Sequence, residues 1–137
     1  MDTDPDFDFA ITLICRRKRL GLSQDELADL LDITQNTISR WENGSRAPRD
    51  PAGVLMKLHE LDDLLDDLVD QVIHLSTKDQ AGRTVLTTYR ADEHWWLADQ
   101  HARDHTLPAS LHQTATAIAA WELEHDNTST TTIRQSR

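Results

Sequence analysis

Two helix-start signals, at Ser23 and Thr34, constrain the fold of this 137-residue chain more than any other feature. Ser23 is followed three residues later by Glu26, the spacing of a capping box, in which each side chain bonds the backbone N–H of the other residue. Leu22 and Leu27 can pack together across the same helix start. Thr34, a second good capping residue, comes eleven residues after Ser23. The segment therefore predicts a short helix, a tight turn and a second helix.

The helix that begins at Thr34 has one apolar side and one polar side. Ile38 and Trp41 lie three residues apart and are predicted to face the core. A rotation of about 100° per residue places polar side chains on an opposite arc of about 140°. These are Gln35, Asn36, Ser39, Arg40 and Asn43. Gln and Asn suit adenine and Arg suits guanine, so this arc has the chemistry to read base edges. A polar arc alone more often indicates a solvated face, but its place after a short helix and a tight turn favours DNA reading.

The segment from about Ile11 to Leu61 closely resembles the phage-repressor and Cro-like helix-turn-helix family, often called the XRE family. The resemblance rests on three motifs: RRKRLGLSQ, ELADLLDIT and NTISRWENGSRAPR. It implies a lambda-repressor-like helical bundle that binds double-stranded DNA. The family normally has glycine at the turn where this chain has Asp32, and aspartate tolerates positive φ better than most residues.

The resemblance also implies roles for individual residues. Together with the polar arc, it assigns base contacts to four residues: Gln35, Asn36, Ser39 and Arg40. DNA backbone contacts are expected from Lys18, Gln24, Thr34, Thr37, Asn43, Arg46 and Arg49. Arg17 and Glu42 match a pair that forms a structural salt bridge between the first and third helices. For Arg46 and Arg49, ordinary solvent exposure is the alternative.

A long helix is predicted from Val54 to Leu75, because apolar residues recur at alternating spacings of four and three. This seam comprises Val54, Leu58, Leu61, Leu65, Leu68, Val72 and Leu75. Its first part should close the core of the helix-turn-helix domain. Its later part would leave apolar surface for a second subunit to bury, which predicts a homodimer. Packing against the chain's own C-terminal section is the alternative.

The C-terminal section is predicted to contain a strand, Thr84–Tyr89, and two helices, at about 92–104 and 110–125. One strand does not make a stable sheet, so we expect it to pair with the same strand of a second subunit. Dimerisation is therefore assigned to Leu65, Leu68, Val72, Leu75, Val85 and Tyr89. The layout loosely resembles that of anti-CRISPR-associated autoregulators.

The chain is thus predicted to be mainly α, with a small α+β dimerisation section. We expect a disordered acidic tail at 1–7, the DNA-binding domain at 8–61, the dimerisation section at 62–126 and a disordered Thr/Ser-rich tail at 127–137. Cys15 lies in an apolar stretch and is predicted to be a buried free thiol.

The net charge of −10 does not exclude DNA binding, because the charge is unevenly distributed. Residues 9–49 contain seven Lys or Arg and five Asp or Glu, a net charge of +2, whereas residues 54–80 have a net charge of −5. No apolar run reaches the roughly 20 residues that span a bilayer, and the acidic start is unlike a secretory signal. We expect a cytoplasmic protein with no membrane contact.

The chain is not expected to be an enzyme, because it has no Gly-rich phosphate loop, nucleophile elbow or supported acid–base pair. His94, His101 and His105 would share a helix face, and two histidines four residues apart can bind zinc. Surface or interface histidines are favoured, since no cysteine or HExxH motif lies nearby. No cofactor and no metal are predicted.

The sequence therefore predicts a DNA-binding transcription regulator, a homodimeric (auto)repressor that reads a palindromic operator with the helix Thr34–Glu42. Two other functions stay open. The chain could be an antitoxin or adaptor that binds a protein partner through its C-terminal section. It could also be an RNA-binding regulator that uses the same basic face.

Overall fold

A computed structural model describes residues 7–127 and 129–136. The chain is mainly helical and divides into two compact units, Met1–Leu61 and Asp62–Arg137. The predicted class is confirmed, with an N-terminal helix-turn-helix bundle, a long helix and a small C-terminal section of strands and helices. Among the described residues, no helix is both long enough and apolar enough to cross a membrane.

The first unit contains α1 (Phe9–Leu20), α2 (Gln24–Leu31), α3 (Gln35–Glu42) and the beginning of α4 (Pro51–His74). Helix α3 packs against both α1 and α2. The core between these helices is almost entirely aliphatic, with one tryptophan. It comprises Leu13, Leu20, Leu22, Leu27, Ala28, Leu31, Ile38, Trp41 and Leu58.

Both predicted helix starts are confirmed. The Glu26 N–H donates to Ser23 Oγ at 3.1 Å, and the Ser23 N–H donates to Glu26 Oε1 at 2.9 Å, which completes the capping box of α2. Thr34 Oγ1 accepts from the Thr37 N–H at 3.2 Å and caps α3. Between the two helices Asp32 has φ 56°, so it adopts the left-handed conformation that often ends a helix. These caps fix the tight turn that orients α3.

The second unit contains the remainder of α4, followed by three strands and three further helices. In chain order they are β1 (Thr77–Lys78), β2 (Thr84–Thr88), α5 (Asp92–Ala98), α6 (Gln100–Asp104), α7 (Ala109–Asn127) and β3 (Thr131–Gln135). The strand order is β1-β2-β3, with β1 antiparallel and β3 parallel to β2. Helix α7 packs against both β2 and β3.

An aromatic cluster of Tyr89, Trp95 and His112 lies in the second unit. The rings of Tyr89 and Trp95 stack at 6.5 Å, and His112 meets both edge-on at 5.0 and 5.1 Å. Burial lowers the pKa of His112 to about 4, although the nearby charge of Asp99 acts in the opposite direction. The neutral imidazole is therefore the form that this cluster accommodates.

The C-terminal end and the predicted strand pairing require correction. Residues 131–135, predicted to be part of a disordered tail, form strand β3. β3 pairs with Thr84–Thr88 on one side of β2, and β1 pairs with Thr84 and Val85 on the other, so among the described residues only 86–88 of one edge of β2 are left for the same strand of a second subunit. Residues 1–6 of the predicted acidic tail lie outside the described residues.

Most of the residues assigned to dimerisation are buried within the single chain. Leu65, Leu68, Val72 and Val85 are all less than a tenth exposed, and Tyr89 belongs to the aromatic cluster. Leu75 alone of the six is well exposed, at 66%. Contrary to the prediction, the α4 seam therefore leaves little apolar surface for a partner at Leu65, Leu68 and Val72.

Two smaller expectations are also wrong. The predicted helix 92–104 is two helices, because Asp99 ends α5 and caps α6 through a bond from the Ala102 N–H. Cys15 is exposed, because it lies on the outer side of α1, away from the buried Leu13 and Leu20.

Candidate nucleic-acid interface

The outer face of α3 presents the polar side chains predicted to read bases. Gln35, Asn36 and Arg40 are exposed and Ser39 is partly exposed. On the opposite side of the helix Ile38 is fully buried and Trp41 is 8% exposed. The edge of Trp41 is met by the Phe9 ring at 6.1 Å. Helix α3 is thus fixed by its apolar side while its polar side faces outward.

A chain of hydrogen bonds links this outer face to α1. Gln35 Nε2 donates to Gln24 Oε1 at 2.8 Å, and Gln24 Nε2 donates to Glu42 Oε1 at 3.1 Å. The two Glu42 oxygens accept from Arg17 Nε and Nη2 at 2.7 and 2.8 Å. Arg17 Nη1 also donates to the Leu22 carbonyl at 2.9 Å. Side chains from α1, α2 and α3 are therefore connected in one continuous network.

The ion pair between Arg17 and Glu42 is largely shielded from solvent, with side-chain exposures of 13% and 6%. Burial by itself would raise the pKa of Glu42, but the hydrogen bonds from Arg17 and Gln24 hold that pKa below its ordinary value. The hydrogen bond to Glu42 raises the pKa of Arg17. Both groups are consequently charged at neutral pH, and the bidentate geometry joins α1 to α3 as the resemblance implies.

The bond to Gln24 leaves the Gln35 amide able to recognise adenine. One hydrogen of its amide nitrogen is directed at Gln24, while the second hydrogen and the oxygen remain available. Adenine presents an acceptor, N7, and a donor, N6, in the major groove. A bidentate Gln35–adenine pair is therefore compatible with the network that orients the side chain.

The loop after α3 places further polar groups beside the helix. Asn43 Oδ1 accepts from the Ser45 N–H at 2.8 Å, and the Arg46 N–H donates to the Arg40 carbonyl at 3.3 Å. Gly44 has φ 79°, which a residue with a side chain rarely adopts, so it permits this sharp turn. Arg46 itself is exposed and lies four residues after Glu42, the last residue of α3.

The other predicted backbone-contact residues lie on several elements. Lys18 is exposed in the last turn of α1, and Arg49 is exposed just before α4. The hydroxyl groups of Thr34 and Thr37 lie 2.8 Å apart at the start of α3, where Thr34 is exposed and Thr37 partly exposed. Helix starts of this kind bind phosphates through backbone N–H groups.

Gln24 has a second role that the sequence did not predict. The resemblance implies a phosphate contact, whereas the structure shows its amide bridging Glu42 and Gln35. The sequence contains both glutamines, but their spacing of eleven residues gives no local indication that they touch. Only the tight turn at Asp32 brings the beginnings of α2 and α3 together.

The three histidines considered for zinc do not form a metal centre with other ligands. The His101 and His105 rings lie 4.4 Å apart, and both side chains are exposed. Within residues 7–127 and 129–136, no three His, Cys, Asp or Glu side chains form a group that could hold a metal ion. The candidate site is therefore α3 and the residues around it.

Comparison with known proteins matches residues 16–52 to the family described as helix-turn-helix. The match runs from the second half of α1 to the first residues of α4. It contains the entire hydrogen-bond network and every residue predicted to contact DNA. No curated protein matches the chain.

Proposed function

Because residues 16–52 form a helix-turn-helix domain of a family of DNA-binding transcription regulators, we propose that this chain is a homodimeric repressor of a palindromic operator. The observation that supports the proposal most is the outer face of α3. There Gln35, Asn36 and Arg40 are exposed on a helix whose other side is buried, and Gln35 is oriented by Gln24.

In this function α3 enters the major groove and reads base edges. Arg40 suits guanine, and Gln35 and Asn36 suit adenine. Exposed groups around the helix contact phosphates, which fix the position of the protein without reading the sequence. Two copies would place their α3 helices in successive major grooves, about 34 Å apart or a multiple of that distance. A dimer bound at a promoter, including the promoter of its own gene, would exclude polymerase.

The charge distribution supports a regulator that leaves random DNA readily. Residues 62–137 have six Lys or Arg and thirteen Asp or Glu, a net charge of −7. Non-specific binding depends on neutralising phosphates with positive charge, so an acidic second unit weakens it. Specific binding retains the base contacts of α3.

An antitoxin or adaptor function is the second candidate, and two exposed apolar side chains favour it. Leu97 is 85% exposed and Trp121 is 59% exposed, both in the second unit. A contiguous exposed apolar patch often marks a protein interaction site, so this function requires the two side chains to belong to one such patch. In this function, DNA binding by the first unit would serve feedback regulation of the partner.

The decisive experiment is selection of bound duplexes from a random DNA pool, with the mass of the selected complex measured in parallel. A palindromic consensus bound by two chains would support the repressor. The absence of a consensus, with only weak and salt-sensitive binding, would overturn sequence-specific recognition. Binding of one chain to an asymmetric site would overturn the homodimer.

Single substitutions then test base reading. We expect Arg40→Ala to cost about 1–3 kcal/mol of binding free energy and to relax one base position of the consensus. Arg103→Ala is the matched control, since Arg103 is also an exposed arginine on a short helix but belongs to the second unit. A uniform loss of affinity across all DNA sequences would show that Arg40 contacts phosphate and does not read a base.

A further inference from the structure

We propose that β3 forms the homodimer interface, by pairing antiparallel with β3 of a second copy around a two-fold axis at Ile133. The inference rests on the proposed function, which requires a dimer but does not say where the two chains meet. Strand β3 is an outer strand of the sheet, so its free edge is a surface on which a second chain can pair.

The outer edge of β3 is open among the residues that the structure describes. The strand order β1-β2-β3 gives β3 one neighbour, the parallel strand β2. An outer strand presents unpaired N–H and C=O groups, and these are a template for a further strand. Five residues, Thr131–Gln135, are available for such pairing.

The bonds to β2 determine which backbone groups point outward. The Thr130 carbonyl accepts from the Thr84 N–H at 2.9 Å, and the Ser136 N–H donates to the Thr88 carbonyl at 2.7 Å. The direction of the backbone groups alternates along a strand, so residues 130, 132, 134 and 136 direct theirs toward β2. Thr131, Ile133 and Gln135 consequently direct their N–H and C=O groups toward the open edge.

This pattern is self-complementary in an antiparallel pair. With Ile133 opposite Ile133 of the second copy, Thr131 lies opposite Gln135, and each opposed pair can exchange two hydrogen bonds. Thr131, Ile133 and Gln135 must bond across the axis, and these are the residues whose N–H and C=O groups point toward the open edge. No second kind of chain is needed to provide a matching edge.

The side chains near this edge also favour a second copy. Arg134 Nη2 lies 3.7 Å from Asp79 Oδ2, which follows β1, so its positive charge is directed toward the β1 side of the sheet and away from the open edge. Ile133 is 48% exposed, and pairing about the axis would cover it with the same residue of the second copy.

An exposed tryptophan lies on the helix that packs against the same strand. The Thr131 hydroxyl donates to the Glu124 carboxylate, which joins α7 to the start of β3. Trp121 lies three residues before Glu124 and is 59% exposed. The helix that contacts β3 therefore also presents an exposed apolar side chain.

The substitution Ile133→Pro tests the interface directly. Proline has no N–H and is tolerated in edge strands, and the N–H it removes at position 133 points away from β2. Ile133→Arg is a second test that leaves the backbone unchanged but sets two like charges opposite each other at the axis. Ile133→Val is the matched control, because it retains both the N–H and the branched side chain.

Analytical ultracentrifugation of the full chain over a wide concentration range measures the equilibrium between monomer and dimer. Near-ultraviolet circular dichroism of the tryptophans establishes that each variant is folded. We expect the unaltered chain and Ile133→Val to be dimers. If Ile133→Pro or Ile133→Arg is folded, we expect its dimer dissociation constant to exceed that of the unaltered chain by about tenfold or more.

A monomeric unaltered chain, or a folded Ile133→Arg variant that dimerises normally, would overturn the β3 interface. If that dimeric variant still binds a palindromic operator, the proposed function stands and the two chains meet elsewhere. If the unaltered chain dimerises through β3 but selects no DNA consensus, the interface stands and the proposed function fails.

Discussion

Every side chain in the network from Arg17 to Gln35 has at least one partner in another helix, so removal of one member affects its neighbours. Gln35 is the member that faces outward, and Arg17 is the member furthest from that face. The resemblance implied the ion pair at one end. It did not imply that the ion pair and Gln35 are joined through Gln24, because that depends on the geometry of the turn at Asp32.

We expect Arg17→Ala to reduce the free energy of unfolding by about 2 kcal/mol, because it leaves the largely covered Glu42 carboxylate without its cation. The effect should depend on pH with a definite sign. The native pKa of Glu42 is lowered, so the ion pair stabilises the fold above the ordinary pKa, about 4.3, and this stabilisation is lost as pH falls through the native pKa.

Urea unfolding of both proteins at several pH values measures this difference. Arg17→Lys is the control, since it retains the charge but cannot form the bidentate pair. A difference between the unaltered chain and Arg17→Ala that stays the same down to pH 3 would contradict a role for the Glu42 charge.

His112 gives the second unit a different pH dependence. Its native pKa of about 4 lies below the ordinary value of 6.5 because the ring is buried. Above pH 6.5 both the native and unfolded states hold a neutral ring, so the stability is full. As pH falls toward 4 only the unfolded state takes up the proton, and about 3 kcal/mol of unfolding free energy should be lost.

Denaturant unfolding of the full chain between pH 7 and pH 4, followed by tryptophan fluorescence, tests this loss. His112→Phe should have a flatter pH profile, because it retains a ring against Tyr89 and Trp95 but cannot be protonated. Equal slopes for the two proteins would show that His112 is not the group responsible.

At the scale of the secondary-structure elements, the beginning of α4 depends on a single side chain. Asp50 Oδ1 accepts from the Gly53 N–H at 3.0 Å, and Pro51 occupies the first helical position, where its missing N–H costs nothing. A Cβ at position 53 would collide with the Asp50 carboxylate. The absence of a side chain at Gly53 therefore makes room for the Asp50 carboxylate that caps α4.

We expect Asp50→Ala to destabilise the chain by about 1 kcal/mol through loss of the cap. Gly53→Ala should stabilise the Asp50→Ala variant by up to about 1 kcal/mol, because alanine favours helix, yet give little gain in the unaltered chain, where it displaces the carboxylate. Thermal unfolding of the four proteins of this double-mutant cycle measures the coupling. Strictly additive effects would contradict the link.

The elements that the sequence predicted are those with local determinants. Ser23, Thr34 and the apolar spacing of α2 and α3 suffice to place both helices, and the β-branched run at 84–88 suffices for β2. Strand β3 also begins with three β-branched residues, but it lies in a polar Thr/Ser-rich segment and its pairing partner β2 is far away in the sequence, so the sequence alone favours a tail. The separation of α5 from α6 likewise depends on Asp99, which is not distinctive in the sequence.

At the scale of the whole molecule, the proposed function sets a geometric requirement on DNA. The proposed dimer binds two half-sites with its two α3 helices, and B-DNA turns once in about 10.5 bp. Insertion of 5 bp between the half-sites of a selected operator would rotate one half-site to the opposite side of the duplex. We expect such an operator to bind no better than a single half-site.

Electrophoretic mobility shifts with the selected operator, the operator with 5 bp inserted and a single half-site measure this requirement. An operator with 5 bp inserted outside the half-sites is the length-matched control. Unchanged binding after the insertion would contradict a rigid two-fold dimer. The α3 residues that we propose read a half-site were predicted from the sequence. The β3 edge was not, because it is defined only once the strands have paired.

The pairing of β2 with β3 joins Thr84 to Thr131, so the sheet cannot be completed before residues 131–135 have been made. The first unit ends at Leu61. A ribosome adds about 5–20 residues per second, so several seconds separate synthesis of the first unit from synthesis of the closing strand. A growing chain would therefore contain every residue that we propose contacts DNA before it contains the edge through which we propose that it finds its partner.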